Sequence, residues 1–168
     1  SRGGLTYHQK VKLEALQTTQ GETRGPWLWL KIDGSDILGD SSVVTLGRGD
    51  TIQCYGFDHH LTIPWDIQTN QQTGTRRHSP VTILKQQDRA SVLLYKALCM
   101  NEPVNDAMFR FYRPSGAGTE ENYLTIQLKD GRIIDIQTPF PNMERVSFVF
   151  QKITWIWEDG GISYMDII

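Results

Sequence analysis

Apolar residues recur at every second position through most of this chain, and one stretch breaks the pattern. Between Ser79 and Arg113 the sequence reads SPVTIL, KQQDRASVLLYKALCMNEP, VNDAMFRFYR. Within it Leu94, Ala97 and Leu98 fall on one face of a 3.6-residue repeat. A chain patterned this way folds as strands around a single helix, placed within residues 88–101. Asp88 or Ser91 can accept a hydrogen bond from an unpaired N–H of the first turn. Glu102-Pro103 stops the helix, because proline drives its predecessor out of the α region.

A length of 168 residues suits one domain. Folding at that size removes roughly 70% of the unfolded surface from water, enough for a core without disulfides. The 17 Lys+Arg against 19 Asp+Glu make no field suited to nucleic acid, anionic lipid or a polyanion. Cys54 and Cys99 lack metal-type spacing and read as buried thiols. No run reaches the ~20 apolar residues of a membrane span, and the N-terminus lacks the apolar core of a signal peptide. Export of this chain, if it occurs, is expected to proceed without a Sec signal.

Residues 1–26 read as an N-terminal extension of open origin, within which Lys10 to Ala15 fits a strand or a helical turn. The domain proper is expected over residues 27–168. WLWLKID is a short strand ended by Gly34, followed by a long loop, SDILGDSSVVTLGRGD, of the kind that docks onto something. Gln53 to Trp65 alternates throughout, with Tyr55, Phe57, His59, Leu61, Ile63 and Trp65 on the face expected to carry much of the core. Asp66 to His78 reads as a solvated loop. ENYLTIQL and RIIDIQT look like a hairpin about Lys129-Asp130-Gly131; a three-residue loop would pair Ile126 with Ile134. MERVSFVFQKITWIWED alternates with a phase slip near Val149-Phe150. These runs total about eight or nine strands and one helix, a mainly β barrel or two-sheet sandwich.

Chemistry-bearing constellations are sparse. His59, His60, Asp58 and His78 form one candidate acid-base or metal group, but adjacent strand residues face opposite ways. There is no GxSxG, and Gly47-Arg48-Gly49 is too short for a phosphate loop. Asp36, Asp40 and Asp50 lack calcium-loop spacing and read as solvated charges. The tryptophans at 27, 29, 65, 155 and 157 fit packing better than a glycan-stacking face. No catalytic residue, cofactor or metal is therefore expected. Large side chains on both faces of the Trp27 strand exceed what one core consumes, which points to cover by identical neighbours.

Several ordered segments resemble the haemolysin-coregulated protein (Hcp) family of bacterial type VI secretion. They are WLWLKIDG, Gly39-Asp40-Ser41, DTIQCYGFDHHLT, His78 to Thr82, and Lys85 with Asp88-Arg89-Ala90-Ser91 at the helix start. Phe111 to Arg113, Tyr123 to Ile126, and Glu144 to Phe148 through Trp155 follow in order. Arg89 and Val92 depart from the family's usual lysine and proline, and residues before Trp27 have no counterpart. The resemblance implies a phage-tail-tube-like barrel that assembles as a homo-hexameric ring. Rings would stack into a tube tipped by the spike protein, propelled from the cytoplasm out of the cell by the contractile sheath and carrying effector proteins. No catalysis, nucleic acid or membrane insertion is implied. It also implies that the loop reaches a neighbouring subunit or ring, with Leu38, Gly39, Asp40, Ser41, Val43 and Val44 as contacts. Lys85, Asp88 and Ser91 mark the helix start. The alternatives are a tryptophan-rich module that binds glycan or protein, and a hydrolase using the histidines.

Overall fold

In the computed structural model, residues 25–168 are described. The Lys10 to Ala15 segment and most of the expected extension lie outside them. Nine strands form one continuous sheet, which begins with β1 (Trp27–Ile32), β2 (Ser35–Ile37) and β3 (Ile52–Asp58). Four two-residue strands follow: β4 (Leu61–Thr62), β5 (Trp65–Asp66), β6 (Gln71–Gln72) and β7 (Arg77–His78). Then come β8 (Val81–Gln86), the helix α1 (Ala90–Cys99), β9 (Val104–Pro114) and β10 (Glu120–Gln137). The chain ends with β11 (Met143–Val149), β12 (Lys152–Trp157) and β13 (Ile162–Ile167). Neighbours run β11-β8-β3-β1-β9-β10, and β10 also pairs with β11, so the ladder closes into a barrel. β12 and β13 extend from the first half of β10 as a flap.

The expected hairpin about Asp130-Gly131 does not exist. Residues 120–137 are one strand that turns a corner. Its first half pairs with β9 and β12, so that Ile126 faces Phe109 and Trp155. Its second half pairs with β11, so that Ile133 faces Phe148. Asp130 takes a positive φ of 55°, and Gln151 N–H bonds the carbonyls of Lys129 and Asp130 at 3.1 and 3.2 Å. An Asp-Gly pair supplies a left-handed residue, which a corner needs as much as a turn does. The corner also exchanges inward parity, from Ile126 and Leu128 before it to Ile133 after it. The slip expected near Val149-Phe150 is the passage from β11 to β12, opposite that same corner.

The long strand expected through Trp65 also breaks. Ile52 and Cys54 point inward, a register shift between Cys54 and Gly56 resets the phase, and Phe57 joins the core. Beyond Asp58 the chain leaves the barrel. β4 pairs with β7 and β5 with β6, which makes residues 59–79 a projecting two-stranded arm in place of a core strand and a loop.

The helix forms where its periodicity placed it and inserts Ala90, Leu94 and Ala97 into the core shared by β1, β3, β8, β9, β10 and β11. It ends in a Schellman motif: Glu102 N–H bonds Ala97 O at 2.9 Å, Asn101 N–H bonds Leu98 O, and Asn101 adopts φ 51°. Cys54 is buried but Cys99 is exposed, contrary to expectation, since it follows the inward Leu94-Ala97-Leu98 face by one residue.

At the corner, a Cβ on Gly131 would sit 2.2 Å from the backbone oxygen of Val149. Gly131→Ala is expected to destabilise the protein by about 2–3 kcal/mol in urea unfolding. Gly116→Ala, with nothing within 4 Å of its Cβ, should stay within about 0.5 kcal/mol of the parent.

Candidate functional site

Lys85 occupies an inward position on β8, in step with Val81 and Ile83, and Glu144 does the same on β11 with Val146 and Phe148. The two are direct cross-strand partners. Lys85 Nζ donates to Glu144 Oε1 at 2.8 Å, Asp88 Oδ1 at 3.0 Å and Ser91 Oγ at 3.2 Å, while Ser91 Oγ donates to Glu144 at 2.6 Å. Asp88 Oδ1 accepts the Ala90 N–H and Ser91 Oγ accepts the Asp88 N–H, so the cluster also caps α1. Burial disfavours ionised Glu144, but the hydrogen bonds from Lys85 and Ser91 outweigh it and hold the carboxyl below its ordinary value. The helix-start residues are thus brought together. Their role is architectural: they join β8, β11 and α1.

The long loop does not stand away from the barrel. Gly39 N–H and Ser41 N–H bond the carbonyls of Asp50 and Thr51, and Trp27 Nε1 donates to Ser41 Oγ at 3.0 Å. Asp40 and Asp50, expected as free charges, both pair with Arg89, which also bonds Gly39 O. Arg48 is fully buried between the rings of Trp27 and Tyr112, with Glu120 at 2.6 Å. The second face of β1 is therefore partly covered from within the chain. Val43 is half-buried, whereas Leu38 and Val44 remain exposed.

The larger apolar exposure lies elsewhere. The arm carries Leu61, Ile63, Trp65 (53% exposed) and Ile67 (89% exposed) outside the core. Ile162, Tyr164, Met165 and Ile167 of β13 are likewise exposed. Asp166, the buried residue of β13, fastens the strand to the arm's stem. Arg76 donates to both of its carboxylate oxygens at 2.7 Å, and His78 Nε2 lies 2.7 Å from Oδ2. His59 Nε2 stands 3.1 Å from His78 Nδ1, while His60 points away and is exposed. Among the described residues, no group of three or more His, Cys, Asp or Glu is placed to hold a metal ion. No helix there is long and apolar enough to cross a membrane.

Sequence reasoning missed Glu144, Arg48, Arg76 and Asp166 as structural partners. Glu144 was detectable as a charge at an inward position of an alternating strand. Asp166 gave no such signal, because its strand is apolar on both faces.

The buried cluster generates a direct test. Lys85→Ala leaves Glu144 buried without its cation and should cost about 3–5 kcal/mol by urea unfolding, whereas Lys85→Met with Glu144→Leu should cost clearly less. Since the folded carboxyl of Glu144 titrates below its unfolded value, its contribution is full above about pH 5 and falls as the solution is acidified through the folded value.

The family described as "Type VI secretion system effector, Hcp" matches residues 29–157. The "Major exported protein" of Pseudomonas aeruginosa is 41% identical over 131 residues, covering 71% of this chain and 76% of that protein. The solved structure of a mutant Hcp1 from E. coli EAEC 042 superposes with a TM-score of 0.76 at 33% identity, over 85% of this chain and 97% of that one. The secreted protein Hcp3 of Pseudomonas aeruginosa gives 0.72 at 31% identity, over 84% and 98%. A barrel closed through the bent β10, capped by one helix and matched over most of its length, belongs to the Hcp family of type VI secretion proteins.

Proposed function

We propose that this chain is a structural subunit of the type VI secretion tube. Six copies close a ring, rings stack, and the tube is exported from the cytoplasm with the spike by contraction of the sheath, carrying effector proteins in its lumen. The chain performs no catalysis. Its relative's name, an exported protein, supports the export step.

The observation that carries the assembly is the apolar surface left over by a completed core. The barrel interior is filled, yet the arm still presents Leu61, Ile63, Trp65 and Ile67, and β13 presents Ile162, Tyr164, Met165 and Ile167. A lone molecule gains nothing by holding a short two-stranded arm of this composition in water. Neighbouring copies cover the arm and β13 in the ring, and Leu38 and Val44 of the loop meet the next ring. Gly39, Asp40 and Ser41 set the loop's shape through their bonds to Asp50, Arg89 and Trp27.

The alternatives draw less support. Trp27 lies under Arg48, Trp29 under Arg110, and Trp155 between His78 and Tyr164, so most tryptophans are occupied in packing. Ser79 Oγ accepts the His60 N–H and donates to Pro80 O, which engages the hydroxyl nearest the histidines.

Light scattering and negative-stain imaging should show closed rings of six; a monomer at every concentration would sink the reading. Trp65→Ser with Ile67→Ser should weaken subunit association by about tenfold or more, while unfolding stability moves by less than about 0.5 kcal/mol, since both side chains are exposed. Leu38→Ser with Val44→Ser should leave rings intact and reduce stacking.

A further inference from the structure

His78 stands at the centre of the arm's stem. Its Nε2 donates to Asp166 Oδ2, because a carboxylate only accepts, and its Nδ1 faces His59 Nε2 at 3.1 Å. One proton fits between those two nitrogens. When His78 is neutral, His59 supplies it; when His78 is cationic, His59 must be neutral to accept. A second proton removes the hydrogen bond and sets two cations in rings stacked 5.2 Å apart.

The surroundings sharpen this restriction. Phe150 and Trp155 lie against both rings, with centroids within 6.2 Å. The charged and titratable neighbours are Asp58 and His60 beside His59, Arg76 and His78 on the returning side of the arm, and Asp166 and Tyr164 on β13. β12 and the β11–β12 link contribute Trp155 and Phe150, neither of which titrates. Asp166 is already shared by the Arg76 fork and His78, so its charge balances one histidine and not two.

We propose that this contact is a latch opened by acid: a second proton taken up by the His59–His78 pair drives the two rings apart and splays the stem of the arm, while Arg76 and His78 stay on Asp166 of β13. Burial, reinforced by His78, holds the His59 imidazole below its ordinary value of 6.5. Stability contributed by neutral His59 is thus complete above that value and is lost as the pH falls below it. The bonds from Arg76 and His78 hold Asp166 down to about 2, so its carboxylate stays charged across that interval. Opening therefore sets in as the pH falls below about 6.5. Opening is a property of the subunit itself; its effect on contacts between copies rests on the function proposed above.

Hydrogen exchange across residues 59–62 and 77–79, where β4 pairs with β7, corrected for intrinsic pH dependence, reads the latch directly. Protection should fall about tenfold or more between pH 7.5 and 5.0. His59→Gln keeps a group able to donate to His78 but cannot titrate, and should reduce that change to less than about twofold. Equal protection at both pH values, or an undiminished change in His59→Gln, overturns the proposal. In the unmodified protein, histidine NMR titration should show His59 protonating below its ordinary imidazole value. A His59 transition at or above the ordinary imidazole value would overturn it as well. Neither readout requires rings, so a failure to form rings at pH 7.5 counts against the tube reading alone.

Discussion

Everything in this molecule hangs on a single strand, β10, which pairs with three others. Over its first half it is flanked by β9 and β12, and over its second half by β11. That change of partner converts an open sheet into a closed ladder, which removes most of the free strand edge around the barrel. The change is possible because Asp130 adopts a left-handed conformation and Gly131 has no side chain where the backbone of Val149 passes. β12 and β13 exist as a flap only because β10 frees one side of its first half to hold them.

Closure alone does not fix where the helix sits. That is done by a charge pair taken out of water. Lys85 and Glu144 face each other across β8 and β11, and the bonds they make to Ser91 and Asp88 leave α1 one seat. Such a pair adds little net stability compared with apolar packing, because desolvation offsets most of the attraction. Its effect is to penalise every arrangement in which one member loses its partners. Arg89 extends this order outward by holding Gly39, Asp40 and Asp50, so the loop's shape follows from the helix's position.

Periodicity made much of this legible. The helix, the short β1, the alternation of β8, β9 and β11, and the slip after Val149 were all visible as changes of repeat. The misreadings share a physical origin: alternation reports that residues face two ways, not what lies on each side. Residues 61–65 alternate like a core strand yet stand on an arm, because no other segment arrives to cover them. Residues 120–137 carry turn chemistry at Asp130-Gly131 yet run on, because whether a left-handed residue ends a strand or bends it depends on what pairs beyond it. The site was legible in its local half, Lys85 with Asp88 and Ser91. The partners Glu144 and Asp166 lie 59 and 88 positions from Lys85 and His78, beyond the reach of any local pattern.

The flap has a consequence for symmetry. With the barrel ladder closed, the exposed apolar surfaces of β13 and of the arm differ in shape and belong to different parts of one copy. A contact that seats one against the other is head-to-tail, so each added copy offers the next the same unsatisfied end. Such a chain of contacts either returns on itself after a whole number of steps or continues without limit. In the assembly proposed above, the angle between β13 and the arm, which the Asp166 tether sets, would decide between a finite ring and an open filament.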